Sequence, residues 1–144
     1  MQLTRFSDLT LRLLAYLASR DRAMEDIVTV RGASVALNVP YTHMVKVAHQ
    51  LGLRGLIQTT KGKGGGIRLC HPPASVRIGD VLRLTEPKAA IIDCFTQPCP
   101  LRFDCRLKDA LDRAHEAFFL EMNRYTLADA ASMPALRELV QVSV

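Results

Sequence analysis

The sequence predicts a mainly α-helical protein with a small β-wing: a winged helix-turn-helix followed by a long dimerisation helix. Three observations predict it. Two short helical patterns meet at the tight Val39-Pro40 turn. Two short apolar segments, Leu56–Thr60 and Ile67–Cys70, flank a glycine-rich tip. An apolar stripe with near-heptad spacing runs from Cys105 to about Tyr125.

The first helix is expected from Thr4 to about Ala18, because Phe6, Leu9, Leu13 and Tyr16 or Leu17 recur at helical spacing. Thr4 or Ser7 can cap it, which puts Asp8 in its first turn. Arg20-Asp21-Arg22 is a polar break. A second helix is expected over about Val28 to Leu37, stopping before Val39-Pro40 because a residue before proline avoids helical geometry. Pro40 suits the first turn of a third helix, Tyr41 to about Leu51, with Met44, Val45 and Ala48 buried and Gly52 as its stop. The two strands follow, joined by Lys61-Gly62-Lys63-Gly64-Gly65-Gly66. His71-Pro72-Pro73 breaks the chain, Ile78 to about Thr85 forms a short helix closed by Pro87, and residues 88–104 are irregular. In the long helix, Leu107, Leu111, Ala114, Phe118, Met122 and Tyr125 form the stripe. A last short helix starts near Leu127.

The chain has 144 residues, 49% hydrophobic and 23% charged, which is ordinary for one globular core and excludes wholesale disorder and collagen. No apolar run approaches the roughly 20 residues of a membrane span, and the polar N-terminus does not read as a signal peptide, so a cytoplasmic location is expected. Four cysteines are too few for a disulfide scaffold and point to metal or redox chemistry.

The net charge of +5 is unevenly placed. Residues 1–70 carry ten basic and four acidic groups, residues 71–144 nine and ten. From Ile27 to Gly79 there is no acid, while Arg31, Lys46, Arg54, Lys61, Lys63, Arg68 and Arg77 all fall there. Coincidence of this zone with the helix-turn-helix points to double-stranded DNA; a plain solubilising surface is the rival reading. In such a fold the second helix enters the major groove by its N-terminal residues. Those are Tyr41, Thr42, His43 and Lys46, with His49 and Gln50 further along. Lys46 suits guanine or phosphate, and Tyr41 and Thr42 suit phosphates. Packing for Tyr41 and plain solvation for His43 are equally open. At the wing, Lys61 and Lys63 stand between glycines, and Gly64 lets the backbone come close to DNA. An exposed hairpin without function is the rival there. A phosphate-cradling nucleotide loop is excluded, since G-x-x-x-x-G-K-[ST] is absent.

Cys94, Cys99 and Cys105 are spaced C-x4-C-x5-C on a proline-rich loop running into a helix. Zinc favours C-x2-C pairs, so these wider spacings suit a larger iron–sulfur cluster. Cys105 stands at a helix start, where the dipole favours a thiolate. Three cysteines leave one ligand missing. Cys70 reads as a small buried apolar residue and His115 as a surface or seam residue, each an outside candidate at most. The chain thus divides into a winged helix-turn-helix DNA-binding domain, 1–78, and a cluster-binding loop with dimerisation helix, 79–144.

The sequence resembles the iron–sulfur winged-helix repressors of bacteria, the NsrR/IscR family. The resemblance rests on Met1-Gln2-Leu3-Thr4-Arg5-Phe6-Ser7-Asp8, the wing Lys61 to Leu69, Ile78-Gly79-Asp80-Val81, Cys105-Arg106-Leu107-Lys108 and Tyr125-Thr126-Leu127-Ala128-Asp129. Together these cover nearly the whole chain. The nitric-oxide-sensing branch fits best, because the cluster-assembly branch has a histidine ligand where Lys108 stands here. The resemblance implies a homodimer on a palindromic operator. No enzymatic activity is expected, since the sequence shows no nucleophile–base grouping, and Asp80 and Glu86 read as a helix-end acid and a loop acid. The resemblance also implies a [4Fe–4S] cluster on Cys94, Cys99, Cys105 and Asp8 from the other subunit, and release of DNA when nitric oxide nitrosylates that cluster. The residues alone explain Asp8 equally as an acid favoured in a first helical turn. A [2Fe–2S] redox or iron-status regulator on the same scaffold, and a small iron–sulfur electron carrier, are the alternatives.

Overall fold

The structure is a computed structural model and describes residues 1–20 and 24–142. The order of elements is α1 (Arg5–Ala18), α2 (Val30–Ala36), α3 (Tyr41–Leu53), β1 (Ile57–Thr60), β2 (Gly66–Leu69), a 3-10 turn (Pro73–Ser75), α4 (Ile78–Thr85), α5 (Arg106–Met122), α6 (Leu127–Ala131) and α7 (Pro134–Val142). This is the expected mainly helical winged helix-turn-helix. The expected break at Arg20-Asp21-Arg22 lies, past Arg20, outside the described residues.

Thr4 caps α1, its side-chain oxygen accepting the Ser7 N–H at 3.2 Å. The core-facing side of α1 puts Leu13, Leu14, Tyr16 and Leu17 into the centre of the molecule. One buried cluster joins them to Met44 and Leu51 of α3, Ile57 and Ile67 of the wing, Val81 and Leu82 of α4, and Leu127.

The second helix starts later than expected. Val28 belongs to the wing: its N–H and carbonyl exchange hydrogen bonds with Ile67 at 2.9 and 2.8 Å. Thr29 then caps α2 by accepting the Gly32 N–H at 3.0 Å. At the other end Asn38 takes a left-handed conformation, φ 51°. Val39 N–H reaches Ser34 O at 3.0 Å and Asn38 N–H reaches Val35 O at 3.2 Å. These two bonds form a Schellman closure that sets the turn into α3. The Ser34 hydroxyl locks it by donating to Val39 O at 2.7 Å.

Gly52 does not stop α3. The helix runs to Leu53, and Gly55, at φ 70°, makes the left-handed closure, with Leu56 N–H on Leu51 O at 3.1 Å. Val45 is 39% exposed, and Val47 takes the core position expected of it. β1 starts one residue later than the expected segment, β2 is shifted back by one, and the two pair antiparallel, from Ile57 with Leu69 to Thr60 with Gly66.

The long helix is shorter than expected. It ends at Met122 because Thr126 starts a new helix: Thr126 Oγ1 accepts Asp129 N–H and Asp129 Oδ2 accepts Thr126 N–H, a capping box. Leu127 N–H on Val76 O and Ile78 N–H on Tyr125 O tie this joint to the start of α4. Of α5, only Phe119 is buried, at 6% exposure; Leu107, in the stripe, is 71% exposed. No helix among the described residues is long and apolar enough to cross a membrane.

Candidate nucleic-acid interface and cysteine loop

The reading head is built by α3 and the wing. No side chain caps the N-terminus of α3. Tyr41, Thr42 and Lys46 are exposed on its first turns. His43 is half-buried, and its Nδ1 is buried without a partner among the described residues, so part of the ring packs inward. Gln50 is engaged elsewhere: its Oε1 accepts from Arg54 Nη1 at 2.5 Å. Lys61, Lys63 and Gly64 are all exposed at the wing tip. Gly64 has φ 76°, a conformation that costs an L side chain and suits a tight, close-approaching tip. Arg68 and Gln58 bridge the exposed face of the wing at 2.8 and 2.9 Å.

Two arginines that sequence reasoning counted only as charge have defined positions. Arg31, on α2, stacks its guanidinium carbon 4.3 Å from the Tyr41 ring centroid. Arg54, the C-terminal cap of α3, donates to Gln50 O and to Leu84 O, both at 3.2 Å, and lies 5.4 Å from the Phe6 ring centroid. A cation is favoured at helix C-termini, and here one cation serves two of them, α3 and α4. Nothing in the local sequence announces that bridge, because its partners are a distant carbonyl and a ring.

The cysteine loop leaves α4 at a polar seam. Thr4 N–H and hydroxyl both donate to Glu86 Oε1, at 2.8 and 3.0 Å, and the Ser7 hydroxyl donates to Thr85 Oγ1 at 2.8 Å. Burial raises the Glu86 pKa; hydrogen bonds from Ser7 and from Thr4 backbone and hydroxyl outweigh it and hold the carboxyl below its ordinary range. Since the one Ser7 proton is directed at Thr85, the two Thr4 donors are the firmer support.

Within the loop, Asp93 accepts from Phe95 N–H at 2.9 Å, Thr96 N–H at 3.1 Å and the Thr96 hydroxyl. These bonds, the Thr96 hydroxyl first, lower its pKa. The turn they make fixes the chain around Cys94, the one buried residue of 87–104, at 8% exposure. Cys105 caps α5: its Sγ accepts the Lys108 N–H at 3.4 Å. Lys108 is held by Asp112, which raises its pKa, and the nearby Cys94 raises it further. Cys99 is exposed. Among the described residues no three His, Cys, Asp or Glu side chains gather closely enough for one metal ion. The donor set nevertheless suits an iron–sulfur cluster in kind, with free, soft thiols on one loop and one of them at a helix start.

Asp8 is in the first turn of α1 and half-buried. Arg12 takes both its oxygens, each at 2.9 Å. Cys70 is half-buried and free, at the end of the wing. His115 packs against Phe119 with the rings tilted by 55°, centroids 5.0 Å apart.

Residues 3–132 match the model of the Rrf2 family, described as an iron-dependent transcriptional regulator. The chain belongs to this family: it is a DNA-binding transcriptional regulator with a winged helix, and not an enzyme. It is 40% identical over 132 residues to the HTH-type transcriptional regulator NsrR of Halalkalibacterium halodurans, covering 90% of this chain and 89% of that one. It is 39% identical to the NsrR of Shouchella clausii over 145 residues, 98% and 96% of the two chains. In fold it is similar to CymR, the global cysteine regulator of B. subtilis, with TM-score 0.71, 19% identity and coverage of 92% and 97%. It is also similar to T. potens IscR, with TM-score 0.67, 16% identity and coverage of 90% and 85%.

Proposed function

We propose that the chain is a homodimeric repressor that senses nitric oxide through an iron–sulfur cluster and releases a palindromic operator in response. The observation that carries this is the position of the cysteine loop. It leaves α4 directly after the Thr4–Glu86 seam and re-enters the helices at the Cys105 cap of α5. Whatever orders this loop therefore bears on α1, and through Arg54 on the end of α3.

In this reading Cys94, Cys99 and Cys105 hold the cluster, and Asp8 of the other subunit completes the set. The NsrR relatives support the assignment. A bound [4Fe–4S] cluster would supply iron reactive toward nitric oxide. The chain's own residues set the coupling. Cys94 is held inward, Cys105 stands as the cap of α5, and Asp8 brings a weaker, harder oxygen from α1, which shares its core with α3. Residues 1–78 read DNA through Thr42, His43, Lys46, Lys61 and Lys63, with Gly64 giving close approach. Residues 79–144 hold the cluster and pair the subunits. The stripe of α5, with Leu107 and Ala114 open to solvent and Leu111 and Phe118 half-buried, is the face offered to the second copy.

The test is an absorption and Mössbauer series on anaerobically purified protein, before and after a nitric oxide donor, with operator binding followed in parallel. Four-iron spectra, and loss of binding as they collapse, are expected. Two-iron spectra would move the reading to a redox or iron-status regulator. A colourless protein that binds the operator regardless would end the sensor assignment.

A further inference from the structure

Several arginines of this chain are held by an oxygen. Arg12 takes Asp8, Arg83 takes Glu116 and Arg124 takes Glu121. Arg68 takes the Gln58 amide and Arg77 the Asn123 carbonyl. Arg31 is set against a ring instead, as is Arg102 over Phe95 and Phe103. Arg31 is exposed on the first turn of α2, inside the stretch with no acid from Ile27 to Gly79. Among the described residues its recorded partner is a ring: the guanidinium carbon is 4.3 Å from the centroid of Tyr41.

Tyr41 is the first residue of α3, so the stack puts the guanidinium at the end of the helix that reads the major groove. A guanidinium lying over an aromatic face keeps all its N–H donors, which radiate in its own plane. That edge matches the two oxygens of a phosphodiester. The ring also restricts the long side chain before DNA arrives, so less rotamer freedom is lost on binding.

We propose that Arg31, stacked on Tyr41, is a preformed clamp for a DNA backbone phosphate at the edge of the major groove, outside the recognition helix itself. Tyr41 then serves as a platform, and its assignment changes from a reader to the support of a positioning contact. The proposal rests on the DNA-binding reading of the winged helix and adds to it a contact on α2 that base readout does not require.

The experiment is a salt titration of binding to operator DNA and to a random duplex of equal length. Arg31→Ala should weaken both by the same factor, about five- to tenfold near 0.1 M salt, and lower the salt slope by about 0.9, the value for one phosphate. Arg31→Lys should keep the slope but lose part of the affinity, because the charge remains and the fork does not. Tyr41→Leu should lose several-fold in affinity at unchanged slope, and Tyr41→Phe should recover most of that loss. Neutral methylphosphonate placed at successive positions of the half-site should find one position where wild type is weakened and Arg31→Ala is not weakened further. Thermal melts of the variants check that the fold is retained. An Arg31→Ala slope equal to wild type, while Lys61→Ala with Lys63→Ala lowers it, overturns the clamp and leaves the DNA reading standing. Wild-type binding without salt dependence overturns both.

Discussion

Glu86 Oε1 accepts two hydrogen bonds from Thr4, one from its backbone N–H at 2.8 Å and one from its hydroxyl at 3.0 Å, across 82 positions of sequence. The N-cap of α1 and the first residue of the cysteine loop are therefore one joint. Thr4 still serves as cap, since its oxygen accepts from Ser7 N–H. Removing Glu86 leaves the Thr4 donors to water and loosens the loop from α1.

Glu86→Ala should lower stability by about 1.5–2 kcal/mol, the lower part of the range for hydrogen bonds to a charged group. Glu86→Gln, which keeps an acceptor, should lose less. The pH dependence follows from the lowered Glu86 pKa. A carboxyl whose folded pKa is depressed adds stability above its unfolded value and loses it as pH falls through the folded one. The wild type should thus lose this increment below about pH 4, and Glu86→Gln should show a flatter acid limb. Denaturant midpoints from pH 7 to pH 3 measure it. Parallel acid limbs for the two proteins would remove the carboxylate from the joint.

A second joint sits at Gly79. A Cβ there would lie 2.2 Å from Phe119 O and 2.4 Å from Asn123 Oδ1, so α4 can approach α5 only with glycine at this position. The approach lets Asp80 and Asn123 exchange hydrogen bonds, each at 2.8 Å. Gly79→Ala must push against backbone, not the end of a flexible chain. It should cost about 2–3 kcal/mol, the upper part of the overpacking range, and lower Tm by several degrees. An unchanged Tm would mean that the two helices separate freely.

The elements that sequence reading located well are those whose signals are local. The 3.6-residue period gave α1, the heptad-like stripe gave α5, and the Lys61 to Gly66 tip gave the wing. The boundaries that moved depended on partners elsewhere. Val28 left the helix because Ile67 pairs with it, and α5 stopped early because Thr126 and Asp129 start the next helix. Asn38 and Gly55 stop α2 and α3, and both signals were legible as residue types. The reading of Gly52 as the stop failed because glycine inside a helix is tolerated at modest cost. α7 was not expected at all. In the candidate site, the cysteine spacing was legible but the burial of Cys94 was not, since Asp93 and Thr96 set it. Nor could sequence place Arg31, over the Tyr41 ring, or Arg54, which reaches the distant Leu84 carbonyl and the Phe6 ring.

The three loop cysteines should behave as a unit. Cys94→Ala, Cys99→Ala and Cys105→Ala should each abolish or severely reduce iron and sulfide content after anaerobic reconstitution. Cys70→Ala, at the end of the wing, should leave the spectrum intact. Cys105→Ser separates two roles, because serine caps a helix as well as the sulfur does. It should keep the stability of α5 and lose the cluster. A brown Cys105→Ser protein, or a bleached Cys70→Ala protein, would break the ligand assignment.

Asp8 carries the sharpest prediction, because two accounts of it differ in what they expect. In one it is a first-turn acid, favoured by the α1 dipole and paired with Arg12 one turn on. Asp8→Asn then costs a few tenths of a kcal/mol up to about 1 kcal/mol and changes nothing else. In the other it completes the cluster of the partner subunit, and the Arg12 pair competes with that role or steadies the carboxylate for it. A carboxylate is the hardest and weakest of the four donors. Asp8→Ala should then still assemble a cluster on three thiolates, with altered operator affinity and altered nitric oxide kinetics. Asp8→Cys should make the cluster more resistant to nitric oxide, since a fourth thiolate closes the open iron. Arg12→Ala frees the carboxylate: on the first account it costs about as little as Asp8→Asn, and on the second it also shifts the nitric oxide rate. Stopped-flow traces of wild type, Asp8→Asn, Asp8→Cys and Arg12→Ala with a nitric oxide donor decide between them. Superimposable traces leave Asp8 as a helix-end acid.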